Sequence, residues 1–377
     1  MAIPRSNGFA FPPPSSPTLV SVTPVELSRT VLRAVRRAVD TGELKVSVPE
    51  RAMVTRPRPG GCGDYATNIA LQLARPAGQP APRVAQVLKT HLLGFDGIDD
   101  VFVTGPGFLN ISLRDDDAEA ALVRLVDDIL SAGSEYGHVP PRSGAVVRIR
   151  CPREVRALVV ADAVARLLRS QGSGVHVGCE EPLPDEWERV LEVLGVRDVR
   201  GGVPGDGDAS FGVTVRPVPA PADPLPLGRD AARWALLLPA VHDRPRITGD
   251  HLVQRESNPL FRVRYAHART RALRRNAADL GFCAQPGPVE APRELVALLE
   301  DHPRVLERAA TRRAPDCLAR HLVGVADAVL PFLPSVLPRG EEKPSAAHRA
   351  RLALAEAAGA VLAGGLSLLG IDAPDHL

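Results

Sequence analysis

The sequence predicts an α+β protein of several domains: a small α/β domain, then a short α/β unit, then an all-helical bundle. Three observations support this prediction. Short strand patterns alternate with helical periodicity between Thr23 and Leu113. A strand, helix, strand pattern follows within residues 145–177. From Arg229 onward the apolar residues recur only at helical spacing, and prolines stand at plausible helix starts.

Length and composition limit the class of protein. With 377 residues, 45% of them hydrophobic, the chain can form two or three domains with real cores. The net charge of +2 does not by itself imply a nucleic-acid partner. The five cysteines form no CxxC pair, so neither a metal site nor a disulfide framework is predicted. No apolar run approaches a membrane span and the first residues lack a secretory signal, so we expect a cytoplasmic protein without a membrane partner.

The first domain is predicted to span residues 21–114, after a disordered, proline-rich tail over residues 1–20. Its pattern predicts three helices, of which the second opens at Gly63-Asp64. It also predicts a short strand over Lys45–Val48 and two strands around the turn Gly105-Pro106-Gly107. The predicted helices and the last two strands are Val25–Val39, a helix from Gly63, Pro82–Leu93, Val101–Val103 and Phe108–Leu113.

A linker helix, Asp115 to Leu130, is predicted within residues 115–142, with acids in its first turn. The middle unit, residues 143–225, has a strand over 145–150, a helix over 155–170 and a second strand from Gly174. The final bundle, residues 226–377, is predicted to contain six helices: Asp230–Leu238, Asn258–Leu280, Pro292–Glu300, Pro303–Arg313, Pro315–Pro331 and Ser345–Leu369.

The helix from Asn258 carries the strongest local charge. Between Arg255 and Arg275 there are seven arginines and one acid, Glu256, which gives this segment a net charge of +6. Tyr265, Ala268, Ala272 and Leu273 are expected to form its apolar stripe. Such a helix can present guanidinium groups to phosphate, or it can simply have a solvated arginine face. The pattern alone leaves both interpretations open.

Four short motifs resemble those of the arginyl-tRNA synthetases, which are class I enzymes. They are Asn258-Pro259 followed by Tyr265-Ala266-His267-Ala268-Arg269, then Asp230-Ala231-Ala232-Arg233, Gly63-Asp64-Tyr65-Ala66-Thr67-Asn68 and Gly105-Pro106-Gly107-Phe108-Leu109-Asn110-Ile111. The resemblance covers residues 21–377. It implies an N-terminal additional domain that contacts the tRNA elbow, a shortened Rossmann-like remnant, and a helical bundle that holds the anticodon loop.

The resemblance also implies candidate tRNA-binding residues, which are Asn68, Asn110, Tyr265, His267, Arg269, Arg274, Arg320 and His321. The residue types leave structural roles open for several of them. The two asparagines could cap backbone groups instead of bonding to bases. Tyr265 could lie in the core, although its ring could also stack on a base.

The catalytic signatures of the family are degenerate in this chain. The resemblance places Cys151 and Glu154 where the family has two ATP-binding histidines, and Arg153 where it has a glycine. The family also needs a Lys-Met-Ser-Lys loop, whereas the three lysines here are at positions 45, 89 and 343. Between Val177 and Arg229 too little chain remains for the rest of the catalytic domain. We therefore expect no catalytic residues and no cofactor, with ATP bound only if the chain is a ligase after all.

The expected function is thus that of a non-catalytic, monomeric tRNA-binding protein with tRNA(Arg) as its partner. One alternative is a working arginine–tRNA ligase. Another is a protein–protein interaction module with a protein partner. The sequence does not determine which tRNA is bound or whether the anticodon is read.

Overall fold

A computed structural model of the chain describes residues 24–55, 57, 62–141, 146–197, 199–202 and 212–377. The chain divides into two compact units, residues 1–121 and 122–377. The predicted tail, residues 1–20, and the glycine-rich segment near residue 205 lie outside the described residues.

The first unit combines three helices with an antiparallel sheet of four strands in the order β1-β2-β4-β3. Leu27 of the first helix, Leu88 of the third and Ile111 of the sheet are fully buried in its core. The elements are α1 Pro24–Asp40, β1 Val54–Thr55, β2 Tyr65–Thr67, α2 Ile69–Ala77, α3 Ala81–Leu92, β3 Ile98–Thr104 and β4 Phe108–Leu113.

Two predictions for this unit are wrong. Residues 45–48 form no strand. The motif from Gly63 to Asn68 does not open a helix, because it pairs with β4 instead. The Asp64 N–H donates to the Ile111 carbonyl at 2.9 Å, and the Asp64 carboxylate accepts the Leu113 N–H at 3.0 Å. Gly63 has φ +81, and a Cβ there would lie 3.0 Å from the Ile111 oxygen, so this close pairing depends on glycine.

The second unit begins within α4, Asp115–Ala132, and contains a parallel sheet of four strands in the order β7-β6-β5-β8. Helix α5 packs on one face of this sheet, where Ile149, Val177 and Val213 enter the core. The predicted strand–helix–strand pattern is confirmed. Its elements are β5 Val146–Cys151, α5 Val155–Ser170, β6 Gly174–Cys179, α6 Asp185–Val193, β7 Val199–Arg200 and β8 Val213–Thr214.

Five helices form the rest of this unit, so the predicted α+β class with a C-terminal helical bundle is confirmed. They are α7 Gly228–Leu237, α8 Pro259–Asp279, α9 Arg293–Arg312, α10 Pro315–Val329 and α11 Ala346–Leu368. One helix fewer is observed than predicted, because α9 continues through Pro303. Leu299, Val305 and Leu306 are buried on both sides of that proline, and this continuous packing offsets the roughly 3 kcal/mol that an internal proline costs.

The buried stripe of α8 differs from the predicted one. It runs through Leu260, Val263, Ala266, Thr270 and Leu273, whereas Tyr265 is 38% exposed. The Thr270 side chain packs directly on the backbone of Gly359 in α11, where a Cβ would collide with it. Helices α8 and α11 therefore approach closely because position 359 has no side chain.

Two helical stretches, Pro315–Ser335 and Ala346–Leu368, are long and apolar enough to cross a membrane. This corrects the expectation that no apolar run has that length. Both stretches lie within the bundle, where Leu322, Val325, Leu354 and Leu362 are fully buried. Their apolar character is therefore explained by core packing.

Candidate functional site

Residues 151–154, which the resemblance places at the ATP signature, lie where ligands bind in folds with parallel sheets, just beyond the carboxyl end of β5. Cys151 is the last residue of β5 and is fully buried. Glu154 is the residue that caps the amino end of α5. A helix start at this place ordinarily offers free N–H groups to a phosphate.

In this chain the Glu154 carboxylate occupies that anion-binding position. One of its oxygens accepts the Ala157 N–H at 2.8 Å, and the other accepts the Ala220 N–H at 3.1 Å. The neighbouring Arg153 N–H donates to the Glu181 carboxylate at 2.7 Å. This bond holds the pKa of Glu181 below its usual value. Two carboxylates therefore accept the N–H groups at this helix start, and they would repel an anion brought to the same place.

Cys151 cannot replace a phosphate-binding histidine. Burial, with added effects from Cys179 and nearby carboxylates, raises the pKa of the Cys151 thiol to about 12. The thiol is thus neutral, and its Sγ points to the Gly178 carbonyl at 3.8 Å. A buried neutral thiol is a weak donor and a poor nucleophile.

Asp230 and Arg233 of the second motif have structural roles. The Arg233 guanidinium is fully buried and lies 2.6 Å from Asp162 of α5. It also donates to the backbone carbonyls of Leu194 and Leu369, at 2.9 and 2.7 Å. Arg233 thereby joins the parallel-sheet region to the bundle and to the end of α11.

Arg156, two residues after Glu154, makes a similar connection that the sequence did not reveal. Its guanidinium donates to five backbone carbonyls, those of Val218, Leu236, Pro239, Ala240 and Asp243. These bonds fix the chain on both sides of α7 against the start of α5. The start of α5 is therefore built into the packing of the second unit.

The exposed face of α8 carries an aromatic pair beside arginines. Phe261 and Tyr265 stack with ring centroids 5.5 Å apart. Arg269, one turn after Tyr265, is exposed. Both rings line a groove of about 670 Å³ that also contains two arginines and two acids, Arg255, Arg262, Glu256 and Asp327. Exposed rings and guanidinium groups together can bind a base and its phosphate.

Much of the predicted positive charge of α8 is neutralised within the protein. Arg262 pairs with Asp327 at 3.2 Å and Arg264 with Asp230 at 3.5 Å. Arg271 pairs with Asp375, near the end of the described chain, at 2.9 Å. Arg269 and Arg274 are exposed, and Arg274 lies in a second cleft of about 410 Å³ with Glu356.

The two predicted histidines of the bundle are buried, whereas Arg320 is exposed but ion-paired. His267 is 4% exposed, its Nδ1 lies 3.1 Å from the Pro374 carbonyl, and burial lowers its pKa. His321 is 8% exposed and stacks on His302 at 5.2 Å. Arg320 is half-exposed and pairs with Asp316 at 2.9 Å. The structure therefore groups Tyr265 and Arg269 on one surface and places both histidines inside.

In the first unit, the two predicted asparagines differ. Asn68 is half-buried, and its Oδ1 accepts a bond from Gln72 at 3.1 Å. Asn110 is 5% exposed and donates to Thr104 Oγ1 at 3.1 Å. Sequence reasoning missed Phe102 and Phe108, which are 39% and 41% exposed. Both lie on the Asn110 face of β3 and β4, and the two-residue alternation of these strands is the signal that could have found them.

Among the described residues, no cluster of three or more His, Cys, Asp or Glu side chains is arranged to hold a metal ion.

Comparison with known protein families gives two matches. Residues 26–113 match the arginyl tRNA synthetase N terminal domain, and residues 263–377 match the DALR anticodon binding domain. Proteins named arginine–tRNA ligase from Frankia alni and Paenarthrobacter aurescens are 26% and 27% identical, over 94% of this chain and 100% of each relative. Those alignments extend over 556 and 555 positions, so a large part of each relative has no counterpart in these 377 residues.

Solved structures show the same fold. The arginyl-tRNA synthetase of Thermus thermophilus superposes with a TM-score of 0.63 at 17% identity, covering 94% of this chain and 100% of the other. That of Plasmodium falciparum gives a TM-score of 0.66 at 9% identity, covering 95% and 100%.

Proposed function

Because the chain belongs to the arginyl-tRNA synthetase family, we propose that it binds tRNA but does not form arginyl adenylate. The observation that supports this most directly is the carboxylate of Glu154 at the amino end of α5. It accepts the N–H groups of Ala157 and Ala220. Binding ATP there would require breaking both bonds and bringing negative charges together.

The exposed face of α8 is the proposed anticodon-binding surface. Tyr265 is held in place by the stacked Phe261 ring, so it can offer a flat, preorganised surface to a base. Arg269 then lies one turn away for phosphate. We assign Arg274 and Arg320 only to contacts with the charged phosphate backbone of the tRNA. Because the rings of His267 and His321 are buried, we assign them to positioning of the bundle.

The outer face of β3 and β4 is the proposed contact of the first unit with tRNA. Phe102 and Phe108 can stack on unpaired bases, and Lys89 lies 5.9 Å above the Phe102 ring. Asn110 lies beside them on the same face, but it is buried and bonded to Thr104, so we assign it to ordering this face. Asn68 of the same unit is also proposed to contact tRNA, through its polar side chain.

We assign the domains accordingly. Residues 21–114 are the N-terminal additional domain, 115–142 the linking helix, 143–225 the degenerate Rossmann-like part and 226–377 the anticodon-binding domain. The preferred partner is tRNA(Arg), and the protein acts as a cytoplasmic monomer.

The second candidate function is that of an active arginine–tRNA ligase. The observation in its favour is that the curated relatives carry this name and align over 94% of the chain. ATP–pyrophosphate exchange with arginine and tRNA present separates the two. The proposal expects no exchange above background, together with salt-sensitive binding of purified tRNA(Arg) in filter retention. Exchange above background would establish the ligase, and absence of tRNA binding would refute the tRNA-binding function and favour a protein partner.

A further inference from the structure

Helix α1 of the first unit has an outer side made of arginines. Its inner side, which includes Leu27, Val31 and Val35, is buried in the core of that unit. Between Leu27 and Val39, where the structure describes every side chain, each exposed residue is an arginine. These residues are Arg29, Arg33, Arg36 and Arg37, which we call the α1 arginine face.

The four arginines follow one side of the helix. Residues three, four and seven positions apart are on the same side of an α-helix, and Arg33 and Arg36 are four and seven positions after Arg29. At about 1.5 Å per residue, the row from Arg29 to Arg36 is about 10 Å long. Successive phosphates of one strand are about 3.4 Å apart along the axis of a duplex, so this row can reach several of them.

The charge of the α1 arginine face is not neutralised within the part of the chain that the structure describes. There, Arg29, Arg33 and Arg36 form neither an ion pair nor a hydrogen bond through their side chains. The Arg37 guanidinium lies 4.2 Å from the centre of the Phe95 ring, a contact that leaves its charge in place. Asp40 is the described acid at the end of this helix. Four guanidinium groups beside this carboxylate leave a positive excess on α1.

The arrangement is unfavourable for the helix by itself. Arg33 is four positions after Arg29 and four positions before Arg37. Like charges at this spacing repel each other and destabilise a helix. A polyanion bound along the α1 arginine face would remove this repulsion, and the positive potential of the row would attract it.

The α1 arginine face is on a different side of the first unit from the exposed rings of Phe102 and Phe108. Helix α1 packs on α3 and β1, and α3 packs on β3 and β4. The helices therefore cover the side of the sheet where Leu109 and Ile111 are buried, whereas the two rings alternate to the open side. An RNA bound on the open side of the sheet leaves the α1 arginine face free.

We propose that the α1 arginine face binds the phosphate backbone of an RNA strand, at a site separate from the surfaces proposed to contact tRNA. Guanidinium groups match phosphate oxygens in geometry and charge. A helix that lies on a membrane inserts its apolar side, but α1 uses that side for the core. An interface with a protein generally has an apolar centre, whereas the exposed residues here are all cationic. This inference goes beyond the proposed function, because the strand is bound in addition to tRNA.

The test is a triple alanine variant of the α1 arginine face, Arg29→Ala, Arg33→Ala and Arg36→Ala. Binding of a fluorescent uridine oligonucleotide to the full chain is measured by anisotropy at four salt concentrations, with and without saturating unlabelled tRNA(Arg). Each phosphate contact with a single strand contributes about 0.7 to the slope of log K against log salt, so the slope should fall by about 2. At low salt the affinity for the oligonucleotide should fall by at least tenfold. Alanine favours a helix at exposed positions, so the variant should remain folded.

A matched control removes the same charge from three exposed arginines of the second unit. The control should retain the wild-type affinity and slope for the oligonucleotide, which separates a local contact from an effect of net charge. It consists of Arg189→Ala, Arg293→Ala and Arg312→Ala. Lysine at positions 29, 33 and 36 should restore most of the slope, because the counterion effect depends on charge.

Two results would overturn the inference. One is wild-type affinity and slope in the triple alanine variant, after which an acidic protein segment would be the occupant to seek. The other is complete displacement of the oligonucleotide from the wild type by tRNA(Arg), because the two RNAs would then share one site. Failure of the wild type to bind tRNA(Arg) would refute the proposed function alone, since oligonucleotide binding is also measured without tRNA.

Discussion

Replacing Arg233 by leucine should destabilise the second unit severely. The guanidinium is fully buried and serves three acceptors: Asp162 at 2.6 Å, Leu369 at 2.7 Å and Leu194 at 2.9 Å. Loss of the two carbonyl bonds costs about 1 kcal/mol each. Asp162, which is 3% exposed, loses one of its two guanidinium partners and keeps Arg166 at 2.9 Å. Breaking a buried ion pair costs about 3–5 kcal/mol, and the retained Arg166 keeps this cost at the low end, so we expect a total of about 5 kcal/mol.

The assay is equilibrium unfolding in urea followed by tryptophan fluorescence. The two tryptophans of the chain, Trp187 and Trp234, both belong to the second unit, so the signal reports that unit. Arg189→Leu, on the exposed side of α6, is the control and should change the free energy of unfolding by less than about 0.5 kcal/mol.

A second substitution tests the reason for the loss. Asp162→Asn in the Arg233→Leu background removes the buried negative charge, so part of the stability should return. A loss smaller than about 1.5 kcal/mol in the single variant would refute the reasoning that Arg233 joins α5 to the bundle. Equal stability of the single and double variants would show that the buried charge is unimportant.

Three further results are expected. Burial lowers the pKa of His302 to about 3 and that of His321 to about 4, from 6.5. The neutral histidines therefore contribute their full stability to the folded state above pH 6.5, and this stability is lost as the pH falls towards 4. At pH 5 each histidine should lower the free energy of unfolding by on the order of 2 kcal/mol. In urea unfolding, His302→Phe should lose stability less steeply with falling pH than the wild type, and equal slopes would contradict this. Tyr265→Ala should weaken tRNA(Arg) binding about tenfold in filter retention, whereas Leu280→Ala, also exposed, should have no effect. Gly63→Ala should destabilise the first unit by about 1–2 kcal/mol, seen as faster hydrogen exchange in β2 and β4, because alanine is strained at φ +81; unchanged exchange would refute the need for glycine.

The sequence predicted elements well where the signal is local. Helix α5 has the predicted bounds, because a capping residue and helical periodicity mark its ends. Prediction failed where residues distant in the sequence determine the local structure. The strand at Tyr65 forms because β4 lies beside it, and α9 passes through Pro303 because the bundle packs on both sides.

The candidate site follows the same rule. The identities of Cys151 and Glu154 were visible in the sequence, but the bond from Ala220 to Glu154 joins residues 66 positions apart. The exposure of Tyr265 and the burial of His321 depend likewise on which helices pack around them. Residue types therefore indicated the chemistry, whereas accessibility came from tertiary structure.

The bonds of Glu154 have a consequence for engineering the amino end of α5. A histidine at position 154 would leave the Ala157 and Ala220 N–H groups without their present acceptor. Losing a helix cap alone costs about 1 kcal/mol. Any attempt to place a phosphate-binding side chain at this position would therefore begin with a loss of stability in the second unit, which compensating substitutions elsewhere would have to restore.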